Sequence, residues 1–158
     1  MTYADGGNAN LLALRRVAVA LGPLLDQVVF IGGATIGLLI TDQAAPPIRV
    51  AEDVDVVIQA LTNADLQEFG EKLRKLGFRE DPERSMCAYK YEELLLDVMP
   101  SNPVALQWRG QWTKAAMEHF DHHEVDKGLR VKIVRAPCLL ALKLDALADR
   151  GNGGCTAP

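Results

Sequence analysis

The chain has 158 residues, of which 49% are hydrophobic, so it is long enough for one domain with a proper core and too short for two ordinary ones. Its formal net charge of −4 excludes a general attraction for nucleic acid, and a polynucleotide would have to be held by local basic stretches. Cys87, Cys138 and Cys155 are odd in number and lack metal-ligand spacing, which excludes a disulfide scaffold and favours a reducing compartment.

The first predicted helix has an apolar stripe and ends at Gly22-Pro23. Val28–Ile31 is predicted as a strand that stops at Gly32-Gly33, and residues 34–40 are predicted as a buried helix because they are apolar nearly all round. The apolar run over 28–40 is too short to cross a bilayer, and the N-terminus lacks the basic region of a secretory signal. We therefore expect a cytoplasmic protein without membrane contact. The stripe of the first helix consists of Leu11, Leu14, Val17, Ala18 and Leu21.

A pair of aspartates marks the next strand, which follows a loop containing Pro46-Pro47. Because side chains alternate along a strand, Asp53 and Asp55 lie on one face while Val54 and Val56 lie on the other. Two ionised carboxylates on one face repel each other and are unfavourable to bury, so a cation such as Mg²⁺ is expected to compensate them. Taken alone, the two aspartates are explained equally well as solvated residues at the start of a strand.

A third acid strengthens the prediction of a metal site. After a helix capped by residues 62–65 and ended by Gly77, a β-hairpin is predicted with strands 85–91 and 94–99. Asp97 lies inside the second, apolar strand of this hairpin. If that strand lies beside the strand of Asp53 and Asp55, three carboxylates meet at one point, which suits two-metal phosphoryl or nucleotidyl transfer.

The C-terminal third is predicted to contain a partly helical stretch over 113–125, a half-exposed strand over 129–134 and a last helix opened by Pro137. This helix presents Lys143 on one side, and its five leucines are expected to pack against the fold. The histidines match no closed zinc pattern, and a polar loop or exposed helix face explains them. The tryptophans are interpreted as packing a late helix on the core, with base stacking as the alternative. The histidines are His119, His122 and His123, and the tryptophans are Trp108 and Trp112.

The order strand, Gly-Gly, helix, loop, acid-hydrophobic-acid strand and later third acid resembles the nucleotidyltransferase superfamily related to DNA polymerase beta. More narrowly, Gly32-Gly33-Ala34-Thr35, Arg49 ahead of Asp53-Val54-Asp55, and residues 141–151 resemble the AbiEii-type nucleotidyltransferase toxins. The resemblance covers residues 28–151. It implies an α/β (α+β) fold with a mixed sheet flanked by helices, in a single domain 1–158 whose C-terminal part is short.

The resemblance also implies an activity and its residues. The enzyme would move a nucleoside monophosphate from a nucleoside triphosphate to an acceptor hydroxyl, with the end of a tRNA as acceptor and a cognate antitoxin as partner. Three acids would hold two Mg²⁺ ions, and the third acid would be either a ligand or the base that orients the hydroxyl. The glycine turn and a lysine would bind the nucleotide. The acids are Asp53, Asp55 and Asp97, and the nucleotide-binding residues are Gly32, Gly33, Thr35 and Lys143.

Three alternatives are open. One is a catalytically silent member of the same fold that binds a nucleotide or a partner protein, and another is transfer to a small molecule such as an aminoglycoside. The third is a dinucleotide-binding fold, because Gly32 to Gly37 is a loose glycine fingerprint followed by acids about twenty residues later. In that fold the acid belongs at the end of its strand, whereas Asp53 and Asp55 are expected at the start of theirs.

Overall fold

A computed structural model of the protein describes residues 4–42, 44–102 and 111–151. In this part of the chain, seven strands form one mixed sheet and five α-helices pack on its two faces, which confirms the predicted α/β (α+β) class. No helix within the described ranges is both long enough and apolar enough to pass through a membrane. Trp108 and residues 152–158 lie outside the described residues, so the expectations about them are not addressed.

The sheet has the order β3-β4-β5-β2-β1-β7-β6. The pairs β2–β5 and β1–β7 are parallel, and the other neighbours are antiparallel. The strands are β1 Val28–Ile31, β2 Val54–Ile58, β3 Arg79–Glu80, β4 Ala88–Tyr91, β5 Leu94–Pro100, β6 Phe120–Asp126 and β7 Leu129–Val134.

The helices divide between the two faces. Helices α1 and α3 share a core cluster with Val54 and Val56, whereas α4 and α5 share a second cluster with Val29 and Val57. Because neighbouring strand residues point to opposite faces, the inner strands β1, β2, β5 and β7 contribute to both clusters. The helices are α1 Ala4–Leu21, α2 Ile36–Leu39, α3 Asn63–Lys75, α4 Trp112–Glu118 and α5 Ala136–Gly151, with 3₁₀ turns at Gly22–Gln27 and Gly33–Thr35.

Local sequence signals explain the ends of α3. The hydroxyl of Thr62 accepts a hydrogen bond from the Asp65 N–H at 3.2 Å, and the Asp65 carboxylate accepts one from the Thr62 N–H at 2.9 Å. This reciprocal pair is a capping box, which confirms the N-cap predicted for residues 62–65. At the other end Gly77 has φ +96°, a conformation that glycine adopts without steric penalty.

The antiparallel pairing of β1 with β2 decides one of the alternatives. A dinucleotide-binding fold requires its first two strands to be parallel and joined by a crossover helix. Here Ile31 lies opposite Asp55 in an antiparallel ladder. The dinucleotide-binding interpretation of Gly32 to Gly37 is therefore excluded.

Two predicted helices differ from the structure. The expected buried helix over 34–40 is a 3₁₀ turn followed by the single turn α2, none of whose residues is buried, because one turn beside a loop cannot be covered on all sides. In α5, Leu139 is buried and Leu142 packs on the second cluster, but the other three leucines are more than half exposed. Five leucines spread over nine helical residues occupy more than one face, and only one face can contact the sheet. The exposed leucines are Leu140, Leu144 and Leu147.

The strand β6 was not predicted. Its residues Phe120 to Val125 contain two histidines and two acids, so the apolar alternation of a half-buried strand is missing. The segment pairs along its whole length with β7 and forms one edge of the sheet. Charged side chains are usual at an edge, where they oppose pairing with another chain. His122 and His123 therefore belong to an edge strand and not to the predicted loop or helix face, whereas His119 directly follows α4.

Candidate functional site

Three acids converge where β2 and β5 lie side by side. In this parallel pair Asp55 is directly opposite Asp97, and Asp53 precedes Asp55 by two residues on the same face. One carboxylate oxygen from each of the three residues lies within 4.8 Å of the other two. The prediction that the strand of Asp97 lies beside the strand of Asp53 and Asp55 is thus confirmed.

The entry to β2 is held in place by a buried asparagine on α1. The Asn10 side chain is 2% exposed, donates a hydrogen bond to the Arg49 carbonyl at 2.9 Å and accepts one from the Ala51 N–H at 2.8 Å. These two bonds fix the backbone just before the acid pair. Asn10 was not among the predicted site residues. Its spacing of four residues from Leu14, which is buried, places both on one face of α1, and this spacing could have predicted its burial.

The glycine turn after β1 lies directly against the acids. Gly32 has φ +78° and ψ −165°, a region that is essentially restricted to glycine. A Cβ atom at this position would overlap Oδ2 of Asp55 and lie 2.8 Å from its Cγ. Gly32 is therefore required both for the backbone conformation and for the space that the Asp55 carboxylate occupies.

Thr35 shapes this turn from inside. Its side chain is fully buried, and its hydroxyl donates a hydrogen bond to the Gly32 carbonyl at 2.8 Å. The Thr35 N–H donates to the same oxygen at 3.3 Å. The observed hydrogen bonds show that the Thr35 side chain stabilises the turn. A direct contact between Thr35 and a nucleotide stays a prediction.

Lys143 is exposed and lies one helical turn after the buried Leu139 on α5, the helix that packs on the face of the sheet to which the acids point. Its positive charge is among the influences that lower the pKa of Asp55. Lys143 is thus electrostatically linked to the acids. Its contact with a nucleotide stays a prediction.

Burial dominates the titration of Asp55 and Asp97. Desolvation, followed by the charges of Asp53 and Asp97, raises the pKa of Asp55 from 3.8 to about 7. Burial also raises the pKa of Asp97, and the nearby positive charge of Arg84 opposes this rise. At neutral pH the surroundings of Asp55 thus hold too little positive charge to keep its carboxyl fully ionised.

Arg84 supplies some positive charge to the site, and it was not among the predicted site residues. Its guanidinium forms an ion pair with Asp53, and its Nη2 atom lies 3.6 Å from Oδ2 of Asp97. Arg84 is carried by the loop 81–87 between β3 and β4. A single arginine in a polar loop has no periodicity or motif, so nothing in the sequence linked it to acids on other strands.

The three acids are close enough together to hold a metal ion. Mg²⁺ prefers carboxylate oxygens at about 2.1 Å, so two of its ligands stand at most about 4.2 Å apart, and the observed spacing needs only a small contraction. The Oδ1 atom of Asp97 is buried and has no hydrogen-bond partner among the described residues. This oxygen is available for a cation. Among the described residues, these acids form the only group of three or more metal-ligating side chains with this closeness.

Neither a scan of protein-family models nor a search of curated proteins finds a match to the chain. The function is therefore argued from the three acids, the glycine turn and the two basic residues near them.

Proposed function

We propose that the protein is a metal-dependent nucleotidyltransferase that moves a nucleoside monophosphate from a nucleoside triphosphate to an acceptor hydroxyl and releases pyrophosphate. The observation that carries this proposal is the convergence of Asp53, Asp55 and Asp97 beside the turn at Gly32. Three carboxylates next to a backbone turn without side chains provide places for cations and for phosphate groups side by side.

Each residue has a role that follows from its position. Asp53 and Asp55 would bind two Mg²⁺ ions, which lower the pKa of the acceptor hydroxyl and neutralise charge on the phosphates. Asp97 would complete the ligand set or accept the proton of that hydroxyl, since its Oδ1 atom has no other partner among the described residues. The short α2 has only a small dipole, so the phosphates would be held mainly by single N–H groups at the start of the turn, those of Gly33 and Ala34.

The resemblance to AbiEii-type toxins supports the end of a tRNA as acceptor and a cognate antitoxin as partner. A cytoplasmic location belongs to the same proposal. Because the chain has a net charge of −4, an RNA acceptor would bind through local cations and not through the overall field of the protein. An aminoglycoside-type small molecule is the alternative acceptor, and it needs no such basic surface.

The proposal is tested by label transfer. The protein is incubated with Mg²⁺, each of the four nucleoside triphosphates labelled on the α-phosphate, and either total RNA or a panel of small alcohols and aminoglycosides. We expect label in an RNA fraction and an equal amount of pyrophosphate, both lost when EDTA is added. Pyrophosphate release without transfer to any acceptor, or no release at all, would count against the proposal.

Asp55→Asn gives the sharpest test of mechanism. It removes a metal ligand and relieves repulsion in the cluster, so we expect transfer to fall at least about 1000-fold while the metal-free protein stays folded. Transfer and circular dichroism are measured on the same preparation. Glu52→Gln is the matched control, because Glu52 is an exposed neighbouring acid outside the cluster. Turnover by Asp55→Asn at the wild-type rate would contradict the mechanism.

One observation favours the silent member of the fold as a second candidate. Arg84 already pairs with Asp53 and lies close to Asp97, and a cluster neutralised in this way can persist without metal. Binding of a nucleoside triphosphate with the same affinity in Mg²⁺ and in EDTA, together with no label transfer, would favour this candidate.

A further inference from the structure

The side chain of Arg84 occupies the region in which a cation would bind the acids. Its guanidinium contacts Asp53 and approaches Asp97 at 3.6 Å, and these two residues are also two of the three metal-ligating candidates. A metal ion and the guanidinium would need the same carboxylate oxygens. They would also repel each other, because both are positive.

The loop that carries Arg84 keeps its shape without that side chain. The N–H groups of Arg84 and Ser85 both donate to the Asp81 carbonyl, at 3.1 and 3.3 Å. The Cys87 N–H donates to the Ser85 hydroxyl at 3.3 Å, and the Asp81 N–H donates to the Ala88 carbonyl at 2.8 Å. The Arg84 side chain can therefore change its position without unfolding the loop.

There is room for such a change. The Arg84 side chain is 27% exposed, so one side of it faces solvent. Pro82, Met86 and Cys87 of the same loop line an open groove of about 670 Å³ together with residues of α3, and Arg84 is not among the residues that line it. The side chain can therefore move toward solvent, while the loop itself borders open space on the α3 side.

We propose that Arg84 is a resident counter-cation of the acid cluster, which cations displace and which then binds the triphosphate of the incoming nucleotide. This inference rests on the proposed function. Without metal, Arg84 balances part of the charge of three carboxylates. Once cations bind, it is repelled from the acids, and the nearest strongly anionic group is the triphosphate, which a guanidinium binds with two parallel hydrogen bonds.

The proposal predicts effects of opposite sign for one variant. In Arg84→Ala the competitor of the metal is gone, so Mn²⁺ without nucleotide should bind about tenfold more tightly. In the presence of saturating Mn²⁺ the same variant has lost a phosphate ligand. A non-hydrolysable nucleoside triphosphate should then bind about tenfold more weakly.

Both affinities are measured on the full chain. Free Mn²⁺ is followed by its electron paramagnetic resonance signal, and nucleotide binding is followed by calorimetry. Arg16→Ala is the matched control, because Arg16 also pairs with two carboxylates, Glu92 and Glu93, at the β4–β5 turn. It should change neither affinity. Arg84→Lys keeps one positive charge, and we expect shifts of the same signs but smaller size, which provides a second readout should the alanine variant fold poorly.

The outcomes separate the inference from the proposed function. Unchanged or weaker Mn²⁺ binding by Arg84→Ala, with normal binding by wild type, would overturn the inference and leave the transferase proposal intact. Tighter Mn²⁺ binding by the variant without any transfer by wild type would support the inference and count against the transferase. No Mn²⁺ binding by either protein would overturn both.

Discussion

The contact between Gly32 and Asp55 shows how closely two distant sequence positions depend on each other. The Gly32 backbone adopts a conformation reserved for glycine, and the Asp55 carboxylate fills the volume that any other side chain would need. The result is a carboxylate packed against bare backbone.

At this scale we predict that Gly32→Ala weakens Mn²⁺ binding about 10- to 100-fold, because the new Cβ displaces the Asp55 carboxylate. It should also lower the free energy of unfolding by about 1–3 kcal/mol through backbone strain. Mn²⁺ titration without nucleotide and urea unfolding measure the two effects.

Gly33→Ala is the matched control for this prediction. A Cβ at Gly33 would meet only the Cβ of Ala51 at 3.6 Å, an ordinary contact, and no positive φ opposes it. Mn²⁺ should therefore bind this variant as it binds wild type. If both alanine variants bound Mn²⁺ equally well, the close approach of Gly32 to Asp55 would not matter for the site.

At the scale of elements, the position of β5 beside β2 creates the site. The β4–β5 hairpin is a local structure, yet its second strand joins β2 in a parallel ladder after the intervening α3. The register places Asp97 opposite Asp55, and a shift by one residue would turn Asp97 to the other face. The helix α5 contributes through the face that contacts the sheet, because Lys143 lies one helical turn after the buried Leu139 and therefore on the same side of the helix.

The two faces of α5 should differ in their contribution to stability. Leu139 is 6% exposed and Leu144 is 57% exposed. We predict that Leu139→Ala lowers the free energy of unfolding by about 2–4 kcal/mol and that Leu144→Ala changes it by less than about 0.5 kcal/mol. Urea unfolding monitored by circular dichroism measures both. Equal losses for the two variants would mean that something covers Leu144 in solution.

At the scale of the whole molecule, the sheet separates two cores and leaves the acids at a partly exposed position on one face. Helices cover both faces, with Phe30 of the central strand fully buried on one side and Val29 on the other. The side chains of Asp53 and Asp97 are 26% and 20% exposed. The fold therefore places charge at the edge of an apolar layer, where desolvation raises the pKa of a carboxyl while solvent access is kept.

This placement predicts how global stability depends on pH. The pKa of Asp55 is about 7 in the folded chain and 3.8 in the unfolded reference, so the folded state holds the proton more tightly. Below pH 4 the carboxyl is protonated in both states. As the pH rises from about 4 to 7, the metal-free protein should lose up to roughly 4 kcal/mol of stability through this group, with no further loss above that range.

Urea unfolding in EDTA at pH 4 to 8 measures this loss, and Asp55→Asn is the comparison because it lacks the titrating group. The difference between wild type and the variant should change with pH, and saturating Mg²⁺ at pH 8 should restore stability to wild type alone. If the difference in the free energy of unfolding between wild type and Asp55→Asn stayed constant from pH 4 to 8, the pKa of Asp55 would not be raised in the folded protein.

Several features could be predicted from short-range patterns because local interactions decide them. The capping box of α3, the hairpin turn before β5 and the alternation of Asp53, Val54 and Asp55 all depend on residues within a few positions of one another. The edge strand β6 escaped prediction because its polar residues are held by pairing with β7, which no local pattern expresses.

The sequence by itself determined that three acids and a glycine turn belong to an α/β protein, because ionised groups in apolar strands stand out against the strand pattern. Only the tertiary structure decided that Asp97 lies opposite Asp55, that the Asp55 carboxylate fills the space beside Gly32, and that Arg84 pairs with Asp53. These relations join residues 23 to 42 positions apart. Strand pairing and charge attraction in the folded chain bring these residues together, and neither produces a periodic pattern in the sequence.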